Sequence, residues 1–169
     1  MASGEATVLG VDLRTDPRAV RHRVGLLGHA TGLYDDLTVV DNVRFWARAA
    51  GAETTDVEHA LTRLGLDGRL RTVAVSRLSA GQRRRTSLAC LIARRPELWL
   101  LDEPHAGLDQ EGRDLVDALI REATAAGATV ILSSHELDRS MQLADEVVTI
   151  AGGSVVRDDA APEDTGGVR

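Results

Sequence analysis

The chain has 169 residues, 43% of them hydrophobic, with a net charge of −6, enough material for one domain with a substantial core. A sequence pI near 5.3 argues against a nucleic-acid-binding face, and one cysteine, Cys90, excludes an internal disulfide or a thiolate metal cluster. No apolar run approaches the roughly 18–20 residues that cross a bilayer, and the first residues lack the charged and apolar regions of a signal peptide, so the expectation is a cytoplasmic chain that meets a membrane only through a partner.

In chain order, Thr7-Val8-Leu9-Gly10-Val11-Asp12-Leu13 predicts a hairpin tip with apolar flanks. Residues 17–22 predict a short helix with Pro17 in its first turn, and Val24 to Leu27 a strand entering the loop Gly28-His29-Ala30-Thr31-Gly32. Thr38 caps a helix through Val39, Val40, Val43, Phe45 and Trp46 that closes at Gly51. Asp56 begins a second helix (Val57, Ala60, Leu61, Leu64) ending at Gly65, and residues 66–77 form an irregular connection. A helix follows over 80–93; in it Cys90, among Leu88, Ala89, Leu91 and Ile92, reads as a small buried side chain.

Pro96 separates that helix from an apolar strand, 98–101. Residues 110–126 predict an amphipathic helix carrying Leu115, Val116, Leu119 and Ile120 and ended by Gly127. Thr129 to Leu132 reads as a buried strand with Ser133-Ser134-His135 at its tip. A helix over 136–144, a strand over 146–151, a Gly152-Gly153 turn and a strand over 154–156 complete the pattern. Residues 158–169 are acidic and small and predict a disordered tail. The β-α-β-α-β order of the second half predicts a parallel sheet with right-handed crossovers.

Two blocks carry the chemistry. Leu78-Ser79-Ala80-Gly81-Gln82 opens a helix, where free N–H groups and the helix dipole can meet a phosphate. Leu98-Trp99-Leu100-Leu101 ends abruptly in Asp102-Glu103-Pro104, placing two carboxylates at a strand's C-terminal tip, where open α/β sheets bind ligands. One acid can hold Mg²⁺ through its water shell while the next orients or deprotonates an attacking water. Arg83, Arg84 and Arg85 point around three faces of a helix and read as a solvated, partly salt-bridged surface. Phe45, Trp46 and Trp99 read as core or subdomain-interface residues.

Together these blocks resemble the signature and Walker B motifs of an ATP-binding cassette (ABC) ATPase. The string Leu100-Leu101-Asp102-Glu103-Pro104-x-x-Gly107-Leu108-Asp109 resembles the family's Walker B and D-loop, and Ser79-Ala80-Gly81-Gln82 its signature, with Ala80 where Gly is usual. His135 stands at the family's switch histidine and His29 where most members have the Q-loop glutamine. Leu27-Gly28-His29, Leu37-Thr38 and Asn42-Val43-Arg44-Phe45-Trp46 resemble the ATP-binding subunits of cytochrome c maturation haem exporters. The family's G-x-x-x-x-G-K-[ST] loop does not occur, and the chain contains no lysine: its 20 Lys+Arg residues are all Arg.

The resemblance implies an α/β, P-loop NTPase-like parallel sheet over about residues 1–157 with a helical subdomain near 38–93. The chain would begin after the first strand, phosphate loop and helix. The resemblance places that phosphate-loop strand beside the 98–101 strand, so its loss would expose the flanks of 98–101 and 129–132. It implies ATP and Mg²⁺ as ligands, Asp102 as metal ligand, Glu103 as base and His135 as sensor of the γ-phosphate. It also assigns Ser79, Gly81, Gln82, His29 and Asp109 to nucleotide contact or communication between sites. The partners implied are a second ATPase subunit and a transmembrane subunit facing residues 30–50, with no nucleic acid. A non-catalytic partner lending its signature motif to an intact subunit is the second class. A soluble ABC protein of translation or repair is the third, without the second cassette or charged linker usual there.

Overall fold

The computed structural model describes residues 4–30 and 32–156, so the tail predicted over 158–169 lies outside the described residues. It comprises two compact units that meet in sequence between His135 and Glu136, each taken by itself below.

In the first unit, β1 (Thr7–Val8) and β2 (Val11–Asp12) form the predicted hairpin, its tip turned by Leu9 and Gly10 at positive φ. Three parallel strands form the central sheet in the order β3 (Val24–Leu27), β4 (Leu98–Asp102), β5 (Thr129–Ser133). The register sets Leu26, Leu100 and Ile131 in one row and Leu27, Leu101 and Leu132 in the next, on opposite faces. Leu27, Trp99 and Leu101 are buried beside Gly25, where a β-carbon would collide with Leu91 and lie 2.6 Å from Pro96 Cγ. On the other face Leu26 is 67% exposed and Ile131 58%.

The sheet corrects one expectation. β4 is hydrogen-bonded on both sides, so no position beside it is left for a phosphate-loop strand. Exposed apolar surface lies on β5, as expected for 129–132, and on β3 rather than on β4; the outer edge of β5 has no strand partner among the described residues.

Helices α1 (Val39–Ala49), α2 (Thr54–Arg63) and α3 (Ala80–Ala93) pack on one another, burying Val39, Val43, Ala47, Val57, Leu61, Leu64 and Leu88. Burying a Val or Leu contributes roughly 1.5–3 kcal/mol, so this cluster is a core in its own right. Thr38 caps α1 as predicted, its Oγ1 accepting from Asp41 N at 3.2 Å. Buried Asn42 fastens the preceding loop: it accepts from Tyr34 N (2.8 Å) and donates to Tyr34 O (3.0 Å). α2 starts two residues before Asp56, with Glu53 as its N-cap; Asp56 sits in the first turn and reaches back to Glu53 N at 3.0 Å. The irregular connection holds two 3-10 turns, Gly68–Thr72 and Val75–Arg77, pinned to the start of α1 by Val39 N to Val73 O and Val75 N to Leu37 O, each 3.0 Å.

Residues 17–23 form successive turns rather than the predicted helix, because a segment this short gains too few hydrogen bonds to offset nucleation. The carbonyl of Arg23 is claimed by Glu97 N (2.9 Å) and Leu98 N (3.1 Å), which starts the β3–β4 pairing. Phe45 is 45% exposed and is not core; it joins Tyr34 and Trp46 in a surface aromatic cluster with centroids 5.0 and 5.4 Å away. α4 (Gln110–Ala125) lies against β5 and buries Val116, Leu119 and Ile120 as its periodicity predicts.

In the second unit, α5 spans only Leu137–Met141, and β6 (Thr149–Ala151) pairs antiparallel with β7 (Ser154–Val156) through the Gly152-Gly153 turn. The last strand of the predicted series therefore belongs to a hairpin, not to the parallel sheet.

Candidate active site

The C-terminal tips of β4 and β5 bring the carboxylates and the histidine together. Asp102 ends β4 exposed, and its Oδ1 accepts from Ser133 Oγ on β5 at 2.7 Å. Glu103 follows at φ +47, a left-handed turn rare for a residue with a side chain, which swings its carboxylate toward β5. There Oε1 accepts from His135 N–H at 3.0 Å and Oε2 lies 2.8 Å from His135 Nδ1. With its proton on Nδ1 the imidazole donates to Glu103, which orients the carboxylate and holds it near the end of the sheet.

The start of α3 meets the loop that follows β4. Ser79 caps α3: its Oγ accepts from Gln82 N (3.2 Å) while Gln82 Oε1 accepts from Ser79 N (3.0 Å). As an acceptor in this cap, the hydroxyl keeps its own proton for donation outward. Gly81 packs on the loop after β4; a β-carbon there would stand 3.5 Å from Gly107 O. Asp109 caps α4, accepting from Gly112 N at 2.9 Å, with Arg85 Nη2 at 3.7 Å. His29 is exposed in the loop after β3. The structure thus joins Glu103 and His135 directly, sets Asp102 beside them on Ser133, and brings the Ser79–Gln82 cap to the 107–109 loop through Gly81. Among the described residues no hydrogen bond or ion pair joins His29 to either cluster, and its loop is tied in through Gly28.

Mg²⁺ suits this donor set in one manner only. Among the described residues no group of three His, Cys, Asp or Glu could cage a metal. One carboxylate at a strand tip, steadied by a serine hydroxyl, fits an ion that keeps most of its waters and takes its other ligands from phosphates.

The sequence reading missed three residues. Arg84 was expected on a solvated face and is instead buried, because it shares the stripe of buried Leu88 and Leu91, four and seven residues on, which points into the sheet. His105 is 1% exposed and bonded to Asp117 Oδ1 at 2.8 Å, tying the loop after Glu103 to α4. Ser133 fixes Asp102; its position at the tip of a strand neighbouring β4 was the available signal.

The fold and the arrangement at its strand tips are those of an ABC-type cassette domain. In solved structures the chain resembles the ATP-binding subunit of an ABC transporter, with a TM-score of 0.81 at 25% identity over 88% of this chain and 63% of that one. A dimeric ATP-binding cassette in a post-hydrolysis state bound to ADP and Pi superposes with a TM-score of 0.82 at 21% identity, over 92% and 72% of the two chains. Residues 1–106 match the ABC transporter family. A cytochrome c biogenesis ATP-binding export protein of Rhodospirillum rubrum is 41% identical over 80% of this chain and 58% of its own length. An energy-coupling factor transporter ATP-binding protein of Symbiobacterium thermophilum is 37% identical over 90% and 56%. The chain belongs to the ABC transporter family, and it spans a little over half the length of these relatives.

Proposed function

We propose that this chain is the ATP-hydrolysing subunit of an ABC exporter, working with a transmembrane subunit and a second ATPase subunit at the cytoplasmic face of the membrane. The observation that carries the reading is the Asp102–Glu103 pair at the tip of β4 with His135 on Glu103. In this reading Asp102 holds Mg²⁺, Glu103 takes a proton from the attacking water, and His135 holds Glu103 and senses the γ-phosphate. Ser79, Gly81 and Gln82, at the start of α3, face the nucleotide of the second subunit, and Asp109 communicates between the two sites. His29 contacts Mg²⁺-bound water. Helices α1 to α3 form the helical subdomain, and residues 30–50 meet the membrane partner. Likeness to the Rhodospirillum rubrum protein supports an export role in cytochrome c biogenesis, which in this reading is haem exporter-like.

The test is a fusion that places the N-terminal segment of the Rhodospirillum rubrum relative before this chain. Changing Glu103→Gln should abolish turnover while ATP stays bound in a stable dimer, since the amide keeps the shape but cannot take a proton. Hydrolysis near the parent rate would remove Glu103 as the base. The capped start of α3 at Ser79 and Gln82 also fits a second reading, a non-catalytic partner whose signature motif serves an intact subunit. That reading expects the unfused chain to raise the ATPase rate of such a subunit when the two are mixed.

A further inference from the structure

Arg84, 6% exposed, donates among the described residues only to main-chain carbonyls. Its Nε donates to Pro104 O (3.3 Å), Nη2 to Asp102 O (2.8 Å) and Glu103 O (2.6 Å), and Nη1 to Gly28 O (2.8 Å). Among the described residues no carboxylate forms an ion pair with it. In extended backbone successive carbonyls alternate in direction. Three in a row converge on one guanidinium here because the chain turns left-handed at Glu103, φ +47. Such a conformation persists only where its surroundings over-determine it.

We propose that Arg84 is the positioning residue of the catalytic turn: it locks the Asp102-Glu103-Pro104 backbone and couples it to the signature helix and to the loop bearing His29. The proposal rests on the reading of Glu103 as base. Its logic lies in which atoms the arginine does not touch. A guanidinium this close would ordinarily form a bidentate pair with a carboxylate and take it out of service. By bonding the carbonyls instead, Arg84 brings its positive charge near both acids while leaving their oxygens to Ser133 and His135. Burial pushes the proton affinity of Arg84 down and the nearby Asp102 and Glu103 carboxylates push it back up; the side chain stays charged, as arginine does in proteins. The planar fork reaches several acceptors at once, which a lysine ammonium cannot match. Because Arg84 lies little more than one turn from Ser79, a shift of the start of α3 must drag the catalytic turn with it or break these bonds.

The test compares Arg84→Met, which keeps the stem and removes every donor, with Arg84→Lys, which keeps the charge and loses the fork. In the 169-residue chain, hydrogen exchange at Glu103 N and Ala106 N, bonded to Ser133 O and Glu103 O, should be at least tenfold faster in Arg84→Met. Arg84→Lys should fall between, and Leu64 N in the α1–α3 core should match the parent. In the fusion, Arg84→Met should lower kcat at least tenfold with ATP affinity within twofold, and Arg84→Lys should recover part of it. A folded Arg84→Met with parent exchange at both amides overturns the proposal. So does an Arg84→Met that fails to fold beside an Arg84→Lys with parent exchange and parent kcat. A fusion that never hydrolyses ATP defeats the ATPase reading alone, and the exchange comparison still decides the role of Arg84.

Discussion

The two faces of the β3–β4–β5 sheet come from the same apolar strands, yet one is closed and the other, though covered at Leu98, is open along β3 and β5. Leu27, Trp99 and Leu101 lie under the chain that carries Leu91 and Pro96, so tightly that position 25 accommodates only glycine. Leu26 and Ile131, one residue away along the strands, stand exposed. An apolar run in sequence therefore predicts a strand but not its burial; burial depends on what the rest of the fold supplies to each side.

The largest contrast expected is in thiol chemistry. Cys90, buried in α3, has its thiol pushed up to about 12 by desolvation. It should react with a thiol-specific disulfide reagent at pH 8 roughly a thousandfold more slowly than a cysteine introduced by Leu26→Cys on the open face. Mass spectrometry of the two labelled peptides measures the ratio, and comparable rates would erase the distinction between the faces.

Stability should divide the same way. Leu27→Ala removes a side chain that is 2% exposed and should cost about 2–5 kcal/mol in urea unfolding. Gly25→Ala should cost about 1–3 kcal/mol, because Leu91 and Pro96 must move. Ile131→Ala should change stability by about 0.5 kcal/mol or less. Equal losses for Leu27→Ala and Ile131→Ala would mean that the open face is covered in solution.

The smallest effect belongs to neither face but to the foot of the sheet, where Arg23 Nε meets Glu97 Oε1 at 2.6 Å. The Arg23 guanidinium holds the Glu97 carboxyl below its ordinary value of 4.5. A carboxyl lowered on folding contributes stability that is full above that ordinary value and lost as pH falls through the lowered one. Both groups are largely solvated, so the contribution is small and weakened by salt. The melting temperatures of the parent and Glu97→Gln should differ slightly at pH 6 and converge as pH drops below about 4. A gap that widens in acid would reverse the sign.

The motif residues were legible because strand tips and helix caps are local: Asp102, Glu103, Ser79 and Asp109 stand where their neighbours in sequence put them. His135 was legible by resemblance, and its bond to Glu103 required the β4–β5 register. Arg84 was misread because its charge was weighed above its place in the Leu88–Leu91 stripe, and no local rule foretells three carbonyls gathering on one side chain. Glu53 was passed over as a cap in favour of Asp56, whose side chain serves the same turn from inside the helix. Exposure at 129–132 was legible by resemblance, but the pairing of β3 with β4 was not, since which strands flank β4 is settled by chain topology rather than by any single strand's pattern.

The pairing of β3 with β4 also bears on the order in which this unit folds. Arg23 and Glu97, at the foot of that pair, are 74 residues apart in sequence, with all of α1, α2 and α3 between them. Contacts within the helices close short loops and form early, whereas this pairing must first meet the entropy of a long one. The left-handed turn at Glu103, bonded to Ser133 O on β5, is complete only once β4 has docked between its neighbours. Assembly of the Asp102–Glu103 site is thus expected to be a late event, and the helical cluster the scaffold on which it waits.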